Sequence, residues 1–273
     1  MRAPDANGQT ATSASRNNSA VVITGASRGL GAALAREFAK NGRNLVLVAR
    51  NTELLTELAN EIVSDHGVKV YVHGGDLAEQ GAPERLEAFC RSHDLEIDGL
   101  INNAALLTYG PFAANGMGAV GNMIELNMRA ATELTALFLP AMLAKRHGNI
   151  INISSIASLR SLQNCAVYSA TKAYLTALSE ALRAEIKGTG VTCSTVLLGP
   201  LRTDMLSGER TGAARMWLLN RLASSPETAA AVIYDGSMAG RQRYSAGWLG
   251  ASMLFGISLL PRSVSVAIAR QLG

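Results

Sequence analysis

Residues 24–31 read TGASRGLG and join a short apolar run at 20–24 to the helix-forming sequence AALAREFAK. Gly25 permits a tight turn, Gly29 lets backbone N–H groups approach a phosphate, and Gly31 lets the helix pack closely on the strand. The helix would then face an anion with the positive end of its dipole. This spacing, GxxxGxG, predicts a dinucleotide-binding turn. Its predicted cofactor-binding residues are Gly25, Ser27, Arg28, Gly29, Leu30 and Gly31.

Beyond this turn the chain alternates short apolar runs with longer helical stretches. Such alternation predicts βαβ units with right-handed crossovers and a parallel sheet covered by helices on both faces. We therefore expect an α/β fold: a single-domain, Rossmann-like, doubly wound sheet of six to seven strands. Strands are predicted at 20–24, 44–49, 69–73, 99–102, 149–153 and 192–198, with a short seventh at 243–246. Helices are predicted near 29–41, 51–66, 82–93, 119–146, 165–188, 203–221 and 226–239.

Composition excludes several classes of function. The 273 residues are 48% apolar and 17% charged, with a net charge of +4, so a large core can be buried. Lys and Arg are scattered without a basic run, which argues against a nucleic-acid surface. Three dispersed cysteines, Cys90, Cys165 and Cys193, fit a reducing compartment better than a disulfide framework. No His/Cys cluster has metal-ligand spacing, so no metal site is predicted.

The two ends of the chain differ from its centre. Residues 1–19 are polar and lack an apolar signal-peptide core, so we expect a disordered tail and a cytoplasmic protein. Residues 20–246 form the predicted catalytic domain, and 247–273 a C-terminal extension that begins with the apolar stretch GWLGASMLFGISLL. That stretch, 247–260, is short for a membrane span. It could pack on the domain or a partner subunit, cover an apolar substrate pocket, or rest on a membrane surface.

The end of the second predicted strand indicates which dinucleotide binds. A site for NAD(H) usually carries an acidic residue near this point, which binds the ribose 2′-hydroxyl. Here the strand ends in Ala49-Arg50, and the guanidinium of Arg50 can pair with a 2′-phosphate. Arg28, in the glycine-rich turn, could contact the same phosphate from the other side. The pair favours NADP(H) over NAD(H).

A second motif, YSATK at residues 168–172, carries acid/base chemistry. Tyr168 and Lys172 are four positions apart, so their side chains share one face of a helix. A Lys ammonium beside a phenol is expected to lower the phenol pKa, which would make Tyr168 a usable general acid/base. Ser155 lies thirteen residues before Tyr168, at the end of a predicted strand, and its hydroxyl could bond a substrate oxygen. Ser154 competes for this role, although strand alternation favours Ser155.

These motifs together resemble the short-chain dehydrogenase/reductase family, in its compact single-domain branch, over roughly residues 20–240. The resemblance rests on motifs that occur in the family's order and spacing. They are TGASRGLG at 24–31, Asp76-Leu77, Asn102-Asn103-Ala104, Asn127, Ser155 and YSATK at 168–172.

The resemblance implies a role for each matching position. In the catalytic set, Ser155 would hold the substrate oxygen and Tyr168 would move its proton. Lys172 would bond the nicotinamide ribose and lower the Tyr168 pKa, and Asn127 would hold a water that relays protons. In the cofactor set, Asp76 and Leu77 would flank the adenine, Asn103 and Ala104 would line the cleft, and Gly199 and Thr203 would lie at the nicotinamide end. Tyr168 and Lys172 belong to both sets.

Two positions depart from the family pattern. The usual NNAG reads NNAA, with Ala105 in the place of the last glycine, and the usual Pro-Gly after the sixth strand reads Leu198-Gly199. The first change is expected to tighten the turn beside the cofactor. Neither change removes a catalytic group.

The sequence thus predicts an NADP(H)-dependent oxidoreductase that transfers a hydride between nicotinamide and a small-molecule carbonyl or alcohol substrate. Reduction of a ketone or aldehyde is favoured because the cofactor is predicted to be NADP(H). The alternative is a non-enzymatic NADP(H)-binding sensor or scaffold on the same fold, although such a protein need not retain all four catalytic groups. A second alternative is a membrane-surface or interaction protein that uses 247–273. A homodimer or homotetramer is expected through the long helices near 119–146 and 165–188.

Overall fold

The computed structural model describes residues 18–159, 161–201 and 223–246. Its centre is one sheet of seven strands, in which every neighbouring pair is parallel. The order β3-β2-β1-β4-β5-β6-β7 confirms the predicted doubly wound α/β fold and fixes the strand number at seven. The strands are β1 Ser19–Thr24, β2 Asn44–Ala49, β3 Val70–Gly74, β4 Glu96–Asn102, β5 Gly148–Ser155, β6 Val191–Leu198 and β7 Arg243–Ala246.

Within residues 18–159, 161–201 and 223–246, seven α-helices cover the sheet. They are α1 Gly29–Lys40, α2 Thr52–His66, α3 Ala82–Ser92, α4 Met117–Ile124, α5 Ala131–Lys145, α6 Ala166–Glu185 and α7 Pro226–Met238. Local sequence sets several of their ends. The Asn51 side chain accepts a hydrogen bond from Leu54 N at the start of α2, and Gly67 ends that helix in the left-handed conformation. Ser225 caps α7 in the same way as Asn51, with proline at the first helical position.

Alternation along the strands builds a separate core on each face of the sheet. Val21 and Ile23 of β1 join the core beneath α1, α2 and α7, which includes Leu34, Phe38 and Ile233. The intervening residues Ala20 and Val22 join the other core, beneath α3, α5 and α6. Because each buried strand contributes side chains to both faces, it is apolar almost throughout, as expected for a parallel sheet.

Several observed boundaries differ from the predicted ones. The single helix predicted at 119–146 is α4 and α5 joined by a π-helical segment, Glu125–Ala130. Strand β4 begins at Glu96 rather than 99, and β5 continues through Ser155. Strand β1 includes Ser19, which pairs with Glu96, so it begins one residue earlier than predicted. The predicted tail up to residue 17, the helix predicted at 203–221 and the extension 247–273 lie outside the described residues.

The strand order reverses between β1 and β4. From β1 the chain first builds outward to β2 and β3, then returns to β4 and builds in the other direction. The carboxyl ends of these two central strands flank the crevice in which open α/β sheets bind ligands. The glycine-rich turn follows β1, and Asn103-Ala104 follows β4, so both predicted motifs lie at this crevice. Among the described residues, no helix is both long and apolar enough to cross a membrane.

Candidate active site

The glycine-rich turn is held by a network centred on Thr24. The Thr24 hydroxyl donates to the carbonyl oxygen of Ile101 at 3.1 Å and accepts from the backbone nitrogens of Asn103 and Ala104, both at 3.0 Å. In return, Asn103 Nδ2 donates to the carbonyl oxygens of Thr24 at 2.8 Å and Gly25 at 3.3 Å. These bonds lock together the two loops of the crevice.

The close packing of this turn explains two of its glycines. Gly25 has φ +67°, in the left-handed region, and a Cβ there would lie 2.9 Å from the Cα of Ala104. At Gly31 a Cβ would lie 2.0 Å from the carbonyl oxygen of Gly25. The third glycine, Gly29, also has a positive φ of 55°. The turn therefore needs glycine for backbone conformation at two positions and for helix-to-strand packing at the third.

The start of α1 has the character of an anion site. Arg28 is the N-cap residue, and its side chain makes no capping hydrogen bond to the first turn of the helix. Because the first N–H groups of a helix have no partner within the helix, this end can donate to a phosphate. Arg28 is exposed and Ser27 half-buried, whereas the Leu30 side chain is buried in the core beneath α1. Leu30 can therefore contribute to a phosphate site only through its backbone.

The predicted 2′-phosphate residue and the predicted adenine residues are neighbours. Arg50 Nη1 lies 3.6 Å from Asp76 Oδ2, and the Arg50 side chain remains 69% exposed, so the guanidinium is accessible to a ligand. Asp76 Oδ1 accepts from the backbone nitrogen of Ala78 at 3.0 Å. The Leu77 side chain, 5% exposed, packs in the core beneath α3, α5 and α6. Leu77 would thus meet an adenine ring by its backbone, not by its side chain.

The structure separates the two candidate serines. Ser155 lies at the carboxyl end of β5, where its Oγ accepts from Ala157 N at 3.1 Å, and its side chain hydrogen-bonds to that of Tyr168. Ser154 instead contacts later turns of α6. Its hydroxyl donates to the carbonyl oxygen of Lys172 at 3.0 Å and shares a hydrogen with Thr176 at 2.8 Å. Only Ser155 presents its hydroxyl to the phenol.

Burial dominates the pKa of Tyr168. It raises the pKa of the phenol above its ordinary value, and the hydrogen bond with Ser155 opposes that effect without reversing it. Lys172 Nζ lies 5.8 Å from the centre of the Tyr168 ring, on the same face of α6 as predicted. The expected lowering of the Tyr168 pKa by Lys172 is thus not what the structure gives. The phenol is desolvated, and the ammonium lies over its ring.

Lys172 is itself deeply buried, with 3% of the residue exposed. Its Nζ donates to the carbonyl oxygen of Ile153 at 2.8 Å, which fixes the ammonium beside the end of β5. Loss of solvation lowers the pKa of Lys172 to about 8, so its charged form is destabilised relative to that of an exposed lysine. A buried lysine with a pKa near the working pH is typical of a functional site.

Asn127 lies in the π-helical segment, and its side chain makes three hydrogen bonds within the protein. Its Oδ1 accepts from Leu106 N at 2.8 Å, and its Nδ2 donates to Leu106 O at 2.9 Å and to Thr171 Oγ1 at 3.1 Å. Thr171 Oγ1 in turn donates to the carbonyl oxygen of Tyr168 at 2.8 Å. Both amide hydrogens of Asn127 are therefore used, and a relay water would have to bind its backbone carbonyl or the remaining Oδ1 lone pair. A π-helical turn of this kind often marks a functional site.

The other predicted site residues are only partly described. Gly199 directly follows β6, at the same edge of the sheet as Ser155, and is half-buried. Thr203 lies outside the described residues, so its predicted approach to the nicotinamide stays a prediction. Two supporting groups were missed by sequence reasoning, namely the hydroxyls of Thr24 and Thr171. Both threonines lie inside the motifs TGASRGLG and YSATK, and their place in these motifs is the sequence feature that could have indicated a role at the site.

Comparison with known proteins identifies the family of the chain. Residues 19–214 match the family model of the short chain dehydrogenases. The chain belongs to this family. It is accordingly an oxidoreductase of the short-chain dehydrogenase type, and the predicted resemblance is confirmed.

Two similar sequences are reductases of ketoacyl groups by name. The chain is 34% identical over 197 residues to the ketoacyl reductase HetN of Nostoc sp., a match that covers 72% of this chain and 68% of the relative. It is 34% identical over 189 residues to a very-long-chain 3-oxoacyl-CoA reductase of Anas platyrhynchos, which covers 67% of this chain and 60% of the relative. The match thus spans about two thirds of one relative and less than two thirds of the other.

A solved structure shows the same fold around a bound dinucleotide. A short-chain dehydrogenase from Sphingobium yanoikuyae, in complex with NADPH, superimposes with a TM-score of 0.78 at 28% sequence identity. The superposition covers 92% of this chain and 93% of the neighbour.

Proposed function

We propose that this chain is an NADP(H)-dependent reductase of ketones or aldehydes in which Tyr168 is the proton donor. One observation carries the proposal. Ser155, Tyr168 and Lys172 are grouped at the carboxyl edge of the sheet that also carries the glycine-rich turn, and Asn127 is hydrogen-bonded to the helix of Tyr168. A non-enzymatic sensor would need the glycine-rich turn but would not need this group.

NADP(H) is the dinucleotide that the site fits. Arg28 and Arg50 are both exposed beside the predicted ribose position, and the second strand ends without an acidic residue. The bound NADPH of the Sphingobium neighbour supports the same choice. The glycine-rich turn and the uncapped start of α1 would hold the pyrophosphate, and Asp76 with the Leu77 backbone would flank the adenine.

The protein supplies orientation and a proton. When bound, the cofactor delivers or accepts a hydride at C4 of its nicotinamide ring. Ser155 would donate a hydrogen bond to the substrate oxygen, and Tyr168 would protonate that oxygen as it gains negative charge. Lys172, anchored on the Ile153 carbonyl, would bond the nicotinamide ribose and stabilise the phenolate that the proton transfer leaves behind. Asn127 would hold the water through which the proton is replaced.

The pKa of Tyr168 favours the reductive direction. Because burial raises that pKa, the phenol keeps its proton at neutral pH and is ready to act as an acid. Oxidation of an alcohol would instead need the phenolate, which is the less populated form in this environment.

The surroundings of the site favour an apolar substrate. Gly110 N donates to Asn164 O at 2.8 Å, which joins the loop after β4 to the loop before α6 beside the catalytic groups. These two loops and the start of α4 carry exposed apolar side chains, namely Phe112 at 65%, Met117 at 85% and Leu162 at 40% exposure. A ketone with an acyl chain could cover them. Because the two relatives described above are a ketoacyl reductase and a 3-oxoacyl-CoA reductase, 3-ketoacyl thioesters are the first substrates to test.

The assembly and the cellular location of the protein are further proposals. A homodimer or homotetramer through the outer faces of α4, α5 and α6 remains our expectation, as does a cytoplasmic location. The roles of the predicted tail 1–19 and extension 247–273 also stay predictions.

The test is NADPH oxidation against ketones, aldehydes and 3-ketoacyl thioesters, compared between the wild-type protein and Tyr168→Phe. Removal of a general acid should lower turnover by roughly 100-fold or more, while NADPH binding is retained. Tyr174→Phe is the matched control, because its phenol is exposed on the same helix and bonds only the Thr132 hydroxyl among the contacts described. Turnover that persists in Tyr168→Phe would refute the assignment. Binding without turnover of any substrate by the wild type would favour the sensor.

A further inference from the structure

Arg129 stands out among the residues that the proposed mechanism does not use. It lies in the π-helical segment Glu125–Ala130, and its guanidinium employs all three nitrogens. Nε donates to Glu125 and Nη1 donates to Glu133 at 2.6 Å, both within the same helical stretch. Nη2 reaches across the fold to two backbone carbonyls, at 2.9 Å to Ala78 and 3.0 Å to Glu79.

Those two carbonyls belong to the turn that carries the predicted adenine residues. We call residues 76–79 the adenine turn. Asp76 Oδ1 accepts from Ala78 N at 3.0 Å, and the Asp76 carbonyl accepts from Glu79 N at 3.0 Å. Asp76 thus stabilises the turn by hydrogen bonds within it, and Arg129 stabilises it by hydrogen bonds from a neighbouring helical segment. Leu77 between them is anchored in the core.

The guanidinium suits this task. Its planar fork can donate in several directions at once, and two carboxylates balance its charge in a position where only a quarter of the side chain is exposed. The carboxylates come from positions i−4 and i+4, so they orient Arg129 on its own helix. The bonds to Ala78 and Glu79 connect that helix to a segment about fifty residues away.

Asn127, two residues before Arg129, is secured independently. Three hydrogen bonds to Leu106 and Thr171 hold its side chain, and none of them involves Arg129. Loss of Arg129 should therefore release the adenine turn but leave the proton-relay end of the site in place.

We propose that Arg129 is a positioning residue that holds the adenine turn in the conformation that binds the cofactor. The inference rests on the proposed function, since it assumes that residues 76–79 meet the adenine end of NADP(H). Arg129 acts through that turn and has no part in the chemical step. Its loss should weaken cofactor binding while the rate at saturating cofactor stays nearly unchanged.

The experiment is a fluorescence titration of the purified full-length protein with NADPH, together with steady-state kinetics at varied NADPH. In Arg129→Met, loss of hydrogen bonds from a charged donor should raise both Kd and KM for NADPH by about tenfold. The value of kcat should change by less than about twofold, because the groups around Tyr168 keep their contacts. The Kd of Arg129→Lys for NADPH should lie between those of the wild type and Arg129→Met, because one ammonium group cannot donate to both carbonyls and both carboxylates at once.

Two control variants separate this role from general stabilisation. Glu133→Gln removes one carboxylate partner but leaves Nη2 on the adenine turn, so its Kd should match that of the wild type. Arg243→Met removes a 2.9 Å ion pair with Glu180 at the opposite edge of the sheet, and it too should leave Kd unchanged.

Each outcome has a defined meaning. An unchanged Kd in Arg129→Met, an equal rise in Glu133→Gln, or a fall confined to kcat would overturn the role of Arg129. If Arg129→Met does not fold, Arg129→Lys decides the question, and a wild-type Kd in that variant would overturn the role. A wild-type protein that does not bind NADPH would instead contradict the proposed function itself.

Discussion

Replacement of Gly31 by alanine should displace the glycine-rich turn by an amount that the structure defines. The added Cβ would lie 2.0 Å from the carbonyl oxygen of Gly25, 2.7 Å from its carbonyl carbon and 2.8 Å from Asn103 Nδ2. Two of these neighbours are backbone atoms, and the third is hydrogen-bonded to the carbonyls of Thr24 and Gly25. No rotamer change can relieve the contact, so α1 must move away from β1 or the turn must unwind.

The expected cost follows from this geometry. Overpacking of a well-packed interior destabilises by about 1–3 kcal/mol, and more where backbone must shift. For a chain of this size that corresponds to a fall in melting temperature of roughly 2–12 °C. Displacement of the Gly25 carbonyl also disturbs the predicted pyrophosphate site. A ligand present at about 100 times its Kd stabilises the protein that binds it by about 2.7 kcal/mol. We therefore expect NADPH at about 100 times the wild-type Kd to raise the melting temperature of the variant far less than that of the wild type.

Thermal unfolding with and without NADPH measures both effects. Gly121→Ala is the matched control, because Gly121 lies within α4 and a Cβ there meets nothing within 4 Å. Alanine is the better helix former, so this variant should be as stable as the wild type or more stable, by up to about 1 kcal/mol. The reasoning would be refuted if Gly31→Ala unfolded at the wild-type temperature and kept its full stabilisation by NADPH.

Two further predictions concern the charges of the site. Because burial lowers the pKa of Lys172 to about 8, its ammonium loses the proton as pH rises through that value, and kcat/KM for NADPH should be level below pH 8 and fall above it. A profile that stays level up to about pH 10, where an ordinary lysine titrates, would show that Lys172 is not perturbed or not required. Arg50→Asp should lower the ratio of NADPH to NADH affinity by about 10- to 100-fold, because a charge-assisted contact to the 2′-phosphate is replaced by repulsion. Titration with both nucleotides measures that ratio, and the cofactor argument fails if it does not move.

The positions of the strands and the burial of both faces of the sheet could largely be anticipated from local sequence. Apolar runs such as 44–49 and 192–198 match β2 and β6 closely because both faces of a parallel sheet are buried, which leaves a strong apolar signal. The π-helical segment could not be anticipated in the same way. Its residues 125–130 continue an ordinary helical composition, and the wider turn accompanies the bonds of Asn127 to Leu106 and Thr171, which are distant along the chain.

The sequence alone determined which chemical groups are available and their order along the chain. TGASRGLG predicted the phosphate turn, because its glycines are needed for backbone conformations and contacts that are local. The four-residue spacing of Tyr168 and Lys172 predicted their shared helical face, because helix geometry depends on sequence separation alone.

Tertiary structure decided the environment of those groups. It directs Ser155 to the phenol and Ser154 to the carbonyl of Lys172, and it fixes Lys172 Nζ on the carbonyl of Ile153. It also raises the pKa of Tyr168 where the motif had suggested a fall. It also joins Arg129 to the adenine turn across about fifty residues. The physical reason is the same throughout. Desolvation and long-range hydrogen bonds depend on which segments pack together in space, and that packing is a property of the whole fold rather than of any local pattern.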